Sequence, residues 1–71
     1  MPKFKVIYQL DNPGKFNILD VNRQVASLQI DESEYQLELS DDNSQVILLS
    51  DSKEAFEDIK KVLSKNGKVI K

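Results

Sequence analysis

The chain has no cysteine, no histidine, no tryptophan and no threonine. Without cysteine there is no disulfide to staple a small fold and no thiolate nucleophile. Without histidine, the commonest metal ligand and the usual neutral-pH general base are both missing. Glycine and proline number two each, too few for a phosphate-cradling loop or a proline-rich tract. No apolar run approaches the roughly 18 residues that a membrane-crossing helix needs, and Met1-Pro2-Lys3 begins no signal peptide. The expected location is therefore cytoplasmic, with no membrane partner.

What remains is an ordinary globular composition. The 71 residues are 39% apolar and 31% charged with a formal net charge of −2, which suits one domain over residues 1–71 and not a disordered chain. Arg23 is the one arginine among many lysines, and Asn and Ile are plentiful, a bias that points to an AT-rich bacterial or phage genome.

Hydropathy patterning sets the expected elements. Phe4, Val6, Tyr8 and Leu10 alternate with Lys5, Ile7 and Gln9, the two-residue period of a half-buried strand. Asn12-Pro13-Gly14-Lys15 fits a type II turn, so a first hairpin is expected to follow. Residues 16–30 read two ways. Ile18, Val21, Val25 and Leu28 have helical spacing, with Asn17 and Asp20 as a weak start; Ala26, Leu28 and Ile30 alternate, and Asn22-Arg23 looks like a turn. The β-branched content favours two short strands, about 16–21 and 24–31, over a helix.

Tyr35, Leu37 and Leu39 alternate with Gln36, Glu38 and Ser40, giving a strand with one wet face. Val46-Ile47-Leu48-Leu49 is continuously apolar, so a central strand covered on both faces is expected. The last long element is a helix from about Ser52 to Asn66. Ala55, Phe56, Ile59, Val62 and Leu63 form its apolar stripe, Asp51 with Glu54 resembles a capping box, and Asn66-Gly67 supplies a left-handed stop. Lys68 to Lys71 follow as a tail or a short strand. The expected fold class is α+β: an antiparallel β-meander of about five strands, open or curled into a partly open barrel, with one C-terminal helix packed on it.

Charge is uneven. Residues 31–58 hold ten acids and one lysine, whereas residues 59–71 hold five lysines and no acid. The acids are ordinary in turns, on a wet strand face and at a helix start. Read functionally, Asp31, Glu32, Glu34, Glu38, Asp41 and Asp42 make an acidic surface for a basic protein partner. Asp41 to Gln45 is not a calcium loop, because Val46 and Ser52 stand where such a loop needs Gly and Glu. No cofactor, metal site or catalytic residue is expected.

Two functional readings follow. The first is a small interaction or regulatory module without catalytic activity, acting through the acidic surface and an apolar sheet face. The second is a nucleic-acid-associated small barrel using Lys3, Lys5, Lys60, Lys61, Lys65 and Lys68, disfavoured by the acidic balance and the single arginine. Apolar groups on both faces of strands 4–10 and 46–49, with one helix to cover them, also point to a symmetric homodimer. The alternative is a helix over residues 16–30 that covers the second face and leaves a monomer.

Overall fold

Four of the apolar patterns become strands and two become helices in the structure, a computed structural model that describes residues 2–70. The strands are β1 (Phe4–Leu10), β2 (Tyr35–Leu39), β3 (Gln45–Ser50) and β4 (Gly67–Val69); the helices are α1 (Ile18–Ser27) and α2 (Lys53–Leu63). Antiparallel pairing gives the spatial order β2-β3-β1-β4. The sheet is therefore open, with four strands, and is neither a five-stranded meander nor a barrel.

Chain order β-α-β-β-α-β with this strand order is the split β-α-β, or ferredoxin-like, arrangement. In it α1 carries the chain from β1 over β3 to β2, and α2 carries it from β3 over β1 to β4. Crossovers of this kind are right-handed almost without exception. Two of them related by a half-turn about the sheet normal must place both helices on the same face.

That geometry corrects the reading of residues 16–30. Pro13–Lys15 form a short 3-10 turn in place of the type II turn, and residues 18–27 form α1 in place of two strands. Asn17 caps α1, its side chain accepting from Leu19 N–H at 2.9 Å. Val21 and Val25, one helical turn apart, enter the core, and Asn22 and Arg23 are ordinary helix residues. Gln29, at φ 64°, adopts the left-handed conformation after the helix, a role glycine usually fills.

One hydrophobic cluster joins the helices to the sheet. It contains Val6, Tyr8 and Leu10 from β1, Val46 and Leu48 from β3, Val21 and Val25 from α1, and the α2 stripe. Phe56 packs against Phe4 with ring centroids 5.4 Å apart, and the buried Tyr8 hydroxyl donates to Lys60 O at 3.1 Å. Ser50, the one buried polar residue in the described core, donates to Glu34 O at 2.6 Å. The N-cap of α2 is Ser52 and not Asp51; its hydroxyl accepts from Ala55 N–H, while Asp51 accepts from Lys3 N–H. Gly67 is no left-handed stop either, because it has no positive φ and begins β4 instead.

Candidate functional site

Because both helices lie on one side, the other face of the sheet has no covering element among the described residues. Strand alternation decides which side chains point there: Lys5, Ile7 and Gln9 from β1, Gln36 and Glu38 from β2, and Gln45, Ile47 and Leu49 from β3. The central strand β3 is thus covered on one face only. Val46 and Leu48 are buried, but Ile47 and Leu49 are half-exposed, against the expectation that both faces would be closed.

The register arranges these residues in cross-strand rows. Glu38 lies opposite Ile47, and Ile47 opposite Ile7. Ile70 N–H donates to Ile7 O at 2.9 Å, which extends the row to Ile70, itself 49% exposed. A second row holds Gln36, Leu49 and Lys5. The third holds Gln45, Gln9 and Lys68, with Gln45 Nε2 donating to Gln9 Oε1 at 3.4 Å. The face is an apolar centre of Ile7, Ile47, Leu49 and Ile70, with an acid on the β2 side and lysines on the β1–β4 side.

The acidic residues singled out from the sequence do not gather into one cluster. Asp31, Glu32 and Glu34 sit in a short 3-10 turn before β2, and Asp41 and Asp42 in the turn after it. Four strand steps of about 3.3 Å put roughly 13 Å between the ends of β2. Only Glu38 stands on the open face, where it accepts from Gln36 Nε2 at 2.6 Å. Together the six follow the β2 edge of the sheet, and charges along an unpaired edge discourage strand-to-strand aggregation.

Asp31, Glu34 and Asp42 are occupied by hydrogen bonds within their turns. Asp31 Oδ1 accepts from Ser33 N–H at 2.9 Å, and Glu34 returns a bond to Asp31 N–H, a reciprocal cap of the 3-10 turn. The bonds from Ser33, backbone first and hydroxyl second, lower the Asp31 carboxyl below its ordinary range. Asp42 Oδ1 accepts from the Ser44 hydroxyl at 2.7 Å, the Ser40 hydroxyl at 2.8 Å and Ser44 N–H at 3.0 Å, with Asn43 at φ 61° completing the turn. These bonds, the Ser44 hydroxyl foremost, hold the Asp42 carboxyl down at about 2.

A pH prediction follows from that turn. The Asp42 carboxyl sits at about 2 when folded against 3.8 ordinarily, so its contribution is present above the ordinary value and is lost as pH falls through about 2. The stability difference between wild type and Asp42→Asn is therefore largest near neutrality and shrinks on acidification. Urea midpoints at a series of pH values check this; a difference independent of pH would show that the three bonds do not depend on the charge.

Cavities give no alternative centre. A depression of about 240 Å³ lies beside Asn22, Glu32, Tyr35 and Leu37, and one of about 200 Å³ beside Glu34, Tyr35, Leu49 and Ser50. Both are smaller than the roughly 300–1,000 Å³ usual for small-molecule sites. In the first, the Tyr35 hydroxyl donates to Asn22 Oδ1 at 3.0 Å, which ties β2 to α1. Burial, and then the Glu32 charge, raise the Tyr35 hydroxyl above its ordinary value. Among the described residues no group of three or more acids is placed to hold a metal ion, and no helix is long and apolar enough to cross a membrane.

The lysines are divided by the sheet. Lys5 and Lys68 belong to the open face, whereas Lys60 and Lys61 are on α2, on the other side, with Lys65 just beyond its end. Lys60 pairs with Glu57 at 3.2 Å and lies 5.3 Å from the centre of the Phe56 ring. Phe4, Tyr8 and Tyr35, the strand aromatics, all point to the helix side. No family model, no curated protein and no solved structure matches this chain.

Proposed function

We propose that the protein is a small protein-interaction module without catalytic activity, whose contact surface is the open face of the sheet together with the acidic β2 edge beside it. The observation that carries this reading is the placement of both helices on one face, which leaves Ile7, Ile47, Leu49 and Ile70 on the other. Strands of 7, 5, 6 and 3 residues, rising about 3.3 Å per residue and lying about 4.8 Å apart, offer a face of roughly 330 Å². Its contiguous apolar centre within a polar rim has the make-up of a contact surface.

Nucleic acid suits this face poorly. Sheet surfaces that bind single strands present aromatic side chains for base stacking, and the described residues of the open face include none. The basic residues are also split between two sides, so they form no continuous track for a phosphate backbone.

The test is affinity capture from the native host with wild type and Ile47→Lys side by side, each first shown to melt cooperatively. Proteins retained by wild type are expected to be lost with Ile47→Lys. An identical set on both, or steeply salt-dependent binding of DNA or RNA by wild type, would overturn the reading.

A further inference from the structure

We propose that a second copy of this chain covers the open face, in a two-fold dimer whose axis runs parallel to the strands between β1 and β3. This rests on the reading of the open face as a contact surface and names its occupant. The charge order across the face is the argument. Strand by strand it runs from acid to base, with Glu38 on β2, Ile47 and Leu49 on β3, Ile7 on β1 and Lys68 on β4; the row that begins at Glu38 ends at Ile70, Lys68 stands one row away, and Lys5 lies beside Leu49.

Two faces meeting about a two-fold axis in their plane have two simple alignments. With the axis across the strands, β2 lies over β2 and β4 over β4, so Glu38 faces Glu38 and the lysine edge faces itself. With the axis along the strands, β2 lies over β4 and β3 over β1. Ile47 then meets the partner's Ile7, the Lys5 stem lies against the partner's Leu49, and Glu38 comes over the partner's Ile70. The partner's Lys68 is one two-residue step away along the strand, about 7 Å, which two long side chains span. Opposite charges across an interface fix register, and like charges oppose it. The surface is self-complementary in the second alignment only.

Size sets the strength. Two faces of this area bury roughly 700 Å² in total, below the about 1,200–2,000 Å² of stable specific interfaces and in the range of weak, transient ones. The dimer is therefore weak and forms with rising concentration, and sheets so packed cross at about −30° because each is twisted.

Sedimentation equilibrium on the full chain, from micromolar to millimolar, gives the dissociation constant for wild type, Ile47→Lys, Glu38→Lys, Lys68→Glu and the double exchange. Wild type is expected to pass from one chain mass to two across the range, and Ile47→Lys to stay at one. Each single charge reversal is expected to weaken the dimer about ten-fold by setting like charges together, and the double exchange to recover most of that loss. A double exchange no tighter than the singles overturns the axis. Wild type at one chain mass throughout overturns the second copy as occupant; if Ile47→Lys still abolishes host-protein capture, the contact-surface reading survives that result. If Ile47→Lys changes neither mass nor capture, both fall.

Discussion

Leu48→Ala is expected to cost about 2–5 kcal/mol, whereas Leu49→Ala, one residue along the same strand, is expected to cost about 1 kcal/mol. Leu48 is fully buried, lies opposite Val6 and Leu37 in the sheet, and faces the helices as part of the core cluster. Truncating it removes its contacts and leaves a cavity that a rigid sheet and two packed helices cannot collapse into. Leu49 points the other way, into the half-exposed row with Gln36 and Lys5, where water already reaches part of it. A chain of this length has a total stability of about 4–10 kcal/mol, so the first loss consumes much of it. Urea unfolding at low micromolar concentration, where single chains dominate, measures the two. Equal losses would mean that both faces of β3 are covered.

Much of the fold was legible because its strongest signals are local. The alternation in β1 and β2, the apolar run of β3 and the stripe of α2 each appear in the right place, since burial on one side imposes its period on the sequence. The helix α1 was hidden by its own chemistry. Ile18, Val21 and Val25 are β-branched, its cap is a single asparagine, and it stops at Gln29 without the glycine that announces most helix ends. The alternation of Ala26, Leu28 and Ile30 misled as well: Ala26 and Leu28 are exposed and only Ile30 packs against the core. The strand order was out of reach, because pairing β1 with β3 across some forty positions leaves no trace in any local window.

For the candidate site the balance differs. Apolar residues on both faces of residues 4–10 and 46–49 marked a surface in need of cover, and Ile7, Ile47 and Leu49 are on it. The alternative to two strands, a helix over residues 16–30, would have closed the second face. It forms, but crossover handedness places it beside α2, so the face stays open. The acids drew attention for their number, yet Asp31 and Asp42 are spent on turn hydrogen bonds, and Glu38 alone reaches the face. Lys68 and Ile70 were not foreseen there because they depend on β4, three residues whose pairing rests on one glycine.

That glycine yields the second large effect. A β-carbon added at Gly67 would lie 2.3 Å from Gln9 O and 3.0 Å from Leu10 Cα, both main-chain atoms of the neighbouring strand. A side chain could swing aside; the backbone of a central strand held by β3 cannot. Gly67→Ala must therefore push β4 off β1, at the about 1–3 kcal/mol typical of overpacking, although Gly67 has no positive φ that would make alanine strained in itself. The loss is local. The Ile70 N–H bond to Ile7 O and the Asp11 N–H bond to Asn66 O, each 2.9 Å, break, while the β1–β3 ladder remains. Hydrogen exchange reads the difference: Asp11 and Ile70 amides lose protection in Gly67→Ala and the central ladder keeps it. Removing β4 also takes Lys68 and Ile70 from the open face, so the variant should self-associate more weakly than wild type. A Gly67→Ala protein that melts like wild type and keeps Ile70 protected would mean that β4 does not approach β1 this closely.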